Sequence, residues 1–352
     1  MGCSIKKEIQ FGLEVVTLEN EFVRAVVLAG KGADLLEFVW KPLEIDCLLK
    51  TDVTLAGFKG MNLHKKRLGS HRDHSLGGWM DVLPHLGEYK DVVISESNGG
   101  VATTLPWDCE IIQGDDSVSV RCTVELPLLP LTVDKTFTIR RGGTALEIGE
   151  RLTMGGDAPA RFTWVQHAMF SGNFVNESTI VHLPTDKVFN AWEHMRNSGG
   201  GEPCDFVYPV DAVYFSRRGK PFDLHRPLPQ SYDGWEFVVF SELREGRVSL
   251  SNPEANLTVE LTWDLKRFPY LRSLYHSGRH GVTVGLEPGD DFFAGFDHSL
   301  KYGTCTTMKP GEVSGTWLKL EYRENGKTAN SLSNNTVDRI DITPHNKSVS
   351  KI

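Results

Sequence analysis

Short stretches of alternating apolar and polar residues, cut at close intervals by glycine and proline, constrain this chain more than any other feature. In 117–126 (SVSVRCTVEL), Val118, Val120, Cys122, Val124 and Leu126 fall on one side and Ser, Arg, Thr and Glu on the other. That is the pattern of a strand with one face in water. Further strands are expected at 22–28, 131–140, 145–154, 235–241, 247–251 and 257–264. Helical periodicity is scarce, and no helical pattern of roughly 10–15 residues separates the strands, which disfavours βαβ units. The 34 glycines and 17 prolines supply the turns. An all-β fold is therefore expected, an antiparallel sandwich or barrel. At 352 residues, one large domain and two small ones both fit. From residue 324 Asn, Ser, Thr and Lys dominate, so 324–352 reads as a polar tail, surface-docked or disordered.

Charge removes several function classes. The chain carries 38 Lys+Arg against 46 Asp+Glu, a net −8, and no Lys/Arg-rich block. A phosphate backbone is thus not the expected partner, because such binding rests on clustered positive charge. No run approaches the roughly 18 apolar residues of a membrane helix, and the first 30 residues lack a signal-peptide core, so a cytoplasmic protein without a membrane partner is expected. The opening MGCS misses the myristoylation pattern because Lys6 stands where Ser or Thr is required. Six dispersed cysteines without a CxxC pair read as reduced thiols rather than a disulfide framework or zinc site.

No Walker loop, nucleophile elbow, HExxH or strand-coupled GxGxxG is present. Three segments set unusual polar residues beside aromatic residues and glycine. In 67–87 (RLGSHRDHSLGGWMDVLPHLG), Arg67, His71, Arg72, His74 and His85 surround a Gly-Gly-Trp turn. In 162–170 (FTWVQHAMF), His167 stands in an apolar run. In 282–293 (VTVGLEPGDDFF), Glu287 ends a strand-like stretch before Pro-Gly. Each also has a plain structural reading: a hydrogen-bonded core histidine, a strand end, or a solvated loop that could alternatively hold a metal.

Taken in order, these segments resemble the aldose 1-epimerase family of galactose mutarotase-like proteins, from about residue 18 to about residue 320. NEFVRAVVLAGKGADLLEF at 20–38 is similar to the family's opening strand pair, and GGWMDVLPHLG at 77–87 to the Gly-Gly, aromatic, Pro, Gly run of its sugar-phosphate branch. QHAMF at 166–170 is similar to the segment bearing the acid histidine. PFDLHRPLP and SYDGWEFVVF within 221–240 resemble the part in which an Asp touches sugar hydroxyls. FPYLRSLY at 268–275 and GLEPGD at 285–290 resemble the strand pair delivering the base glutamate.

The resemblance implies one mutarotase-like sandwich (supersandwich) domain over 1–323 that interconverts the α and β anomers of an aldose or aldose derivative. It implies Glu287 as base, His167 as acid, no metal and no cofactor. Asp233 and Trp235 would contact the sugar, and Arg67, Arg72 and His74 would line the binding loop. That loop departs from the family: Leu76 precedes Gly77 where the sugar-phosphate branch has Arg, and His74 is displaced by two residues from the free-sugar pattern. The arginines and histidines of the loop would suit an anionic sugar. A small-molecule sugar is thus the expected partner, for a monomer or homodimer. A non-catalytic carbohydrate-binding sandwich, or a lyase or metal-dependent isomerase on the same fold, are the competing readings.

Overall fold

The computed structural model describes residues 2–10, 12–55, 75–84, 100–127, 129–190, 193, 206–211, 214–216, 218–278, 281–291 and 296–326. Two large antiparallel sheets dominate. The twelve-stranded sheet runs β1 (Ser4–Gln10), β2 (Leu13–Glu19), β3 (Val23–Leu28), β4 (Asp34–Trp40), β6 (Trp79–Val82), β12 (Val165–Phe170), β22 (Gly281–Gly289), β21 (Tyr270–Gly278), β18 (Gly234–Phe240), β14 (Lys187–Phe189) and β15 (Val207–Pro209). The short β5 (Ile45–Asp46) pairs with β4. The eight-stranded sheet runs β13 (Ile180–His182), β19 (Arg247–Asn252), β20 (Leu257–Trp263), β24 (Val313–Glu324), β10 (Ala145–Met154), β9 (Leu131–Arg140), β8 (Ser117–Glu125) and β7 (Asp108–Gln113). β11 (Ala160–Phe162) with β23 (Thr306–Met308), and β16 (Tyr214–Phe215) with β17 (Pro221–Phe222), form two small pairs. Among the described residues no helix is long and apolar enough to cross a membrane.

All seven strands expected from alternation are present, those at 131–140 and 145–154 with the same ends. The reason is visible in β8. Val118, Val120 and Cys122 face the core, while the Ser119 hydroxyl meets that of Thr138 on the outer face at 2.8 Å. One continuous apolar core fills the space between the sheets, joining Val120, Phe137, Ile148 and Leu318 from one side with Phe38, Trp79, Ala168 and Leu286 from the other. Burying side chains of this size removes about 1.5–3 kcal/mol of unfavourable hydration each. Tyr322 of β24 ties the layers together: its ring stacks on Phe38 at 5.0 Å and its hydroxyl donates to the Phe38 carbonyl at 2.7 Å.

The Gly-Gly of the sequence has a steric cause. Gly77 and Gly78 have φ of 87° and 71°, and a Cβ on either would lie 2.1 Å from the Leu49 carbonyl oxygen or 2.2 Å from that of Leu35. Only glycine combines that backbone with that approach. The crossing brings Trp79 into β6 and thereby places β6 against β12, since the Met169 amide donates to the Gly78 carbonyl at 3.0 Å.

The cysteine expectation needs correction. Cys109 and Cys122 are directly paired residues of the β7–β8 hairpin with Cα atoms 4.2 Å apart, and they form a disulfide. Of the others, Cys3, Cys47 and Cys305 are free thiols, and burial pushes the Cys47 thiol well above its ordinary value. At the C-terminal end, β24 continues through Glu324, which pairs with Leu257; the segment beyond 326 lies outside the described residues.

Candidate active site

The centre of the twelve-stranded sheet carries a row of charged side chains on the face turned away from the other sheet. The register that pairs Ala168 with Leu286 sets His167 of β12 beside Glu287 of β22, and Glu287 is itself paired with Arg272 of β21. Because alternate residues of a strand share a face, a one-residue shift would bury His167 between the sheets instead. The His167 Nε2 atom lies 3.6 Å from Glu287 Oε1, and Arg272 NH2 lies 3.4 Å from Glu287 Oε2. The other guanidinium nitrogen, NH1, donates to Asp291 Oδ1 at 3.3 Å. Glu287 and Arg272 side chains are 2% and 1% exposed, whereas His167 keeps 15%. Access from solvent to this row is therefore through the histidine end.

Apolar groups frame the row. Met80, Val82 and Val165 form a small cluster on one side, and Phe189, Phe206, Phe237 and Val239 form another on the other, both separate from the main core. The Arg272 guanidinium carbon sits 5.5 Å from the Phe237 ring centroid, within cation–π range. Gly285, two residues before Glu287 and so on the same face, keeps space open beside the carboxylate. A Cβ there would lie 2.9 Å from Met169 Sδ and 3.0 Å from Glu287 Oε1. Glycine at this position is thus a matter of room rather than of backbone freedom.

Behind the row, facing the core, stands a second charged cluster. Lys135 of β9 donates to Asp81 of β6 and lies 3.0 Å from Glu150 Oε1 of β10. Gln166 Nε2 donates to Asp81 Oδ1 at 2.5 Å and to Glu150 Oε2 at 2.8 Å. Trp164 Nε1 donates to Asp81 Oδ1 at 3.1 Å, and Trp79 Nε1 to Gln166 Oε1 at 2.8 Å. Burial, then the Asp81 charge, pushes Glu150 up to about 8, while Asp81 and Glu150 hold Lys135 protonated despite its burial. The network clamps β6, β9, β10 and β12 together and so fixes the strand that carries His167.

Of the residues singled out in the sequence, His167 and Glu287 come together. They stand side by side rather than across a cavity. Trp235 is on the same face, 38% exposed and paired with His276, but four residues along β18 from Val239, the partner of Arg272. That is about 14 Å along the strand, so Trp235 lines the far end of the face. Asp233 is at that end too, with φ of 45°; its Oδ1 and the His276 ring both approach the Cβ position of Gly278, at 3.8 Å and 3.3 Å. Arg67, Arg72 and His74 lie outside the described residues, as do His71 and His85. Arg272, Asp291, Gly285 and His276 escaped the sequence reading. Arg272 had a signal, a charged residue inside the apolar strand pattern FPYLRSLY.

Solved structures share this architecture. The fold is the galactose mutarotase-like β-sandwich. A provisionally named aldose 1-epimerase from Klebsiella pneumoniae superposes with a TM-score of 0.66 at 13% identity, over 89% of this chain and 80% of that one. One from Escherichia coli K12, also provisionally named, gives 0.61 at 14% identity, over 92% and 100%. A galactose mutarotase-like protein from Clostridium acetobutylicum gives 0.62 at 12%, over 92% and 99%. By sequence, no protein-family model matches the chain, and no curated protein matches it significantly.

Proposed function

We propose that the protein is an aldose 1-epimerase, exchanging the α and β anomers of an aldose or aldose derivative with Glu287 as base and His167 as acid. The observation that carries this reading is the pairing of an imidazole and a buried carboxylate 3.6 Å apart on one face of a mutarotase-like sheet. Anomer exchange requires the two groups to serve two oxygens bonded to the same carbon, the C1 hydroxyl oxygen and the ring oxygen. Groups standing side by side fit that demand from a single edge of the sugar.

Glu287 takes the proton of the C1 hydroxyl as the C1–ring oxygen bond breaks, and protonated His167 gives a proton to the departing ring oxygen. A free aldehyde with a new hydroxyl results. After rotation about C1–C2, His167 removes the proton of that hydroxyl as its oxygen attacks the other face of C1, and Glu287 returns its proton to O1. Both residues end as they began, so the cycle is complete without a further reactant. Positioned acid and base groups of this kind contribute about 10²–10⁴-fold each. Arg272 supports the scheme by holding the Glu287 carboxylate in place through an ion pair of 3.4 Å. Met169, Val165 and Met80 give the histidine an apolar surround.

Polarimetry on freshly dissolved single anomers, across neutral, phosphorylated and acidic aldoses, tests the reading. Acceleration beyond the buffer rate for at least one sugar is expected. Saturable sugar binding with no acceleration for any of them would replace the enzyme with a carbohydrate-binding protein. Activity lost to a chelator would point instead to the metal-dependent reading.

A further inference from the structure

We propose that Arg272 and Asp291 are positioning residues that set the basicity of Glu287, the two carboxylates competing for one buried guanidinium. The inference rests on Glu287 being the base. A guanidinium commonly grips a carboxylate with two parallel N–H groups. Here the fork is split: NH2 is 3.4 Å from Glu287 Oε2, and NH1 donates to Asp291 Oδ1 at 3.3 Å. Glu287 therefore holds only part of the cation. A base fully paired with arginine keeps its charge but gains little from taking a proton; a base with no cation, in so buried a place, would be protonated before the sugar arrived. Sharing the arginine lies between these extremes.

The split geometry is built in from several elements. The Arg272 stem packs against Gly289, where a Cβ would meet Arg272 Cδ at 3.6 Å in ordinary contact and Val165 Cγ2 more tightly at 3.1 Å. Phe237 of β18 lies under the guanidinium. Asp291 is positioned by the preceding residue, because Asp290 Oδ1 accepts from the Trp164 amide at 2.7 Å and its other oxygen accepts from Thr306. Ser299, on the helix Phe296–Tyr302, hydrogen-bonds Asp291. The charged and titratable neighbours are His167 and Arg272 for Glu287, and Arg272, Asp290, Tyr270 and Cys305 for Asp291. Burial outweighs Arg272 at Asp291 and holds its carboxyl up at about 7. Near neutrality Asp291 therefore changes charge, and with it the share of Arg272 left to Glu287.

The test is a carboxyl-13C NMR titration of Glu287, assigned against Glu287→Gln, run beside the pH profile of kcat/KM for anomer exchange. In Asp291→Asn more of the cation falls to Glu287, so its titration and the acid limb of the profile should move to lower pH by about one pH unit. In Arg272→Met both should move to higher pH. Ser299→Ala, a mild change, weakens the charged form of Asp291 and should give a smaller downward move, which keeps the question open to measurement if Asp291→Asn or Arg272→Met fails to fold. A purely structural role would lower the amplitude of activity without moving the limb in opposite directions. Shifts of the same sign in Asp291→Asn and Arg272→Met, or no downward shift in Asp291→Asn and Ser299→Ala, overturn the proposal. Because the titration needs no sugar, shifts as expected with no exchange of any aldose would indict the epimerase reading alone.

Discussion

Gln166 points into the space between the sheets and His167 points away from it, and each joins a cluster of charged side chains that solvent scarcely reaches. Around Gln166 the charges are closed upon themselves: Asp81 accepts from Lys135, Gln166 and Trp164, and Glu150 accepts from Gln166 with Lys135 alongside. Around His167 the row is open at one end. The His167–Glu287 distance of 3.6 Å exceeds a hydrogen bond, and Glu287 Oε2 is buried with no hydrogen-bond partner. The two clusters have similar residue types and similar burial, so composition alone does not separate scaffold from chemistry. Access does. Each cluster holds a buried carboxylate oxygen without a hydrogen-bond partner, Glu150 Oε1 in one and Glu287 Oε2 in the other. The side chains of Lys135, Asp81 and Glu150 are sealed at 0–2% exposure, whereas His167 keeps 15% and opens its row to a ligand.

That contrast can be broken by exchanging the expected effects of the two faces. Glu287→Gln should cost about a thousandfold or more in kcat/KM, with the thermal midpoint close to that of the parent, by polarimetry and calorimetry on the same sample. Lys135→Met should do the reverse. It leaves the Asp81 carboxylate buried without its cation and is expected to lose about 3–5 kcal/mol of stability by urea denaturation. If the Lys135 variant folds normally but is inactive, the inner cluster takes part in the chemistry and the division fails.

Smaller effects sharpen the same division. Gly285→Ala puts a methyl group 3.0 Å from Glu287 Oε1, and about a tenfold fall in kcat/KM with little change in unfolding midpoint is expected from displacing the carboxylate. A further effect is read as a function of pH. The folded protein holds Glu150 protonated up to about 8, whereas the unfolded chain releases that proton near the ordinary value of 4.5. The folded state thus binds more protons between these values, and the stability this group contributes falls as pH rises through the window. In Glu150→Gln the thermal midpoint should fall less between pH 5 and pH 8.5 than in the parent. An unchanged slope would show that Glu150 is ionised in the fold.

Much of the fold could be read from alternation because strands such as β8, β9 and β10 bury one face and turn the other toward water. Where both faces are covered, as in β22, the burial pattern is almost unbroken and alternation carries no information. His167 and Glu287 stood out as polar residues in apolar runs, and the same logic would have found Arg272, Lys135 and Glu150, each a charged residue buried on a strand. The Cys109–Cys122 bridge was not legible, because a separation of 13 residues does not say which positions of a hairpin face one another. Arg67, Arg72 and His74 could not be placed by register, since the sequence around them shows no strand alternation.

The central claim is that His167 and Glu287 act as one acid–base pair on a sugar. It is tested most directly by two-dimensional exchange NMR of an accepted aldose with the parent protein, His167→Gln, Glu287→Gln and the double variant, each checked for an intact thermal transition. The account predicts strong exchange cross-peaks between α and β anomers with the parent. Each single variant should lower the rate to nearly the level of the double, because groups that act as a unit are not additive. Exchange that persists in both single variants, or losses that simply multiply in the double, would contradict it.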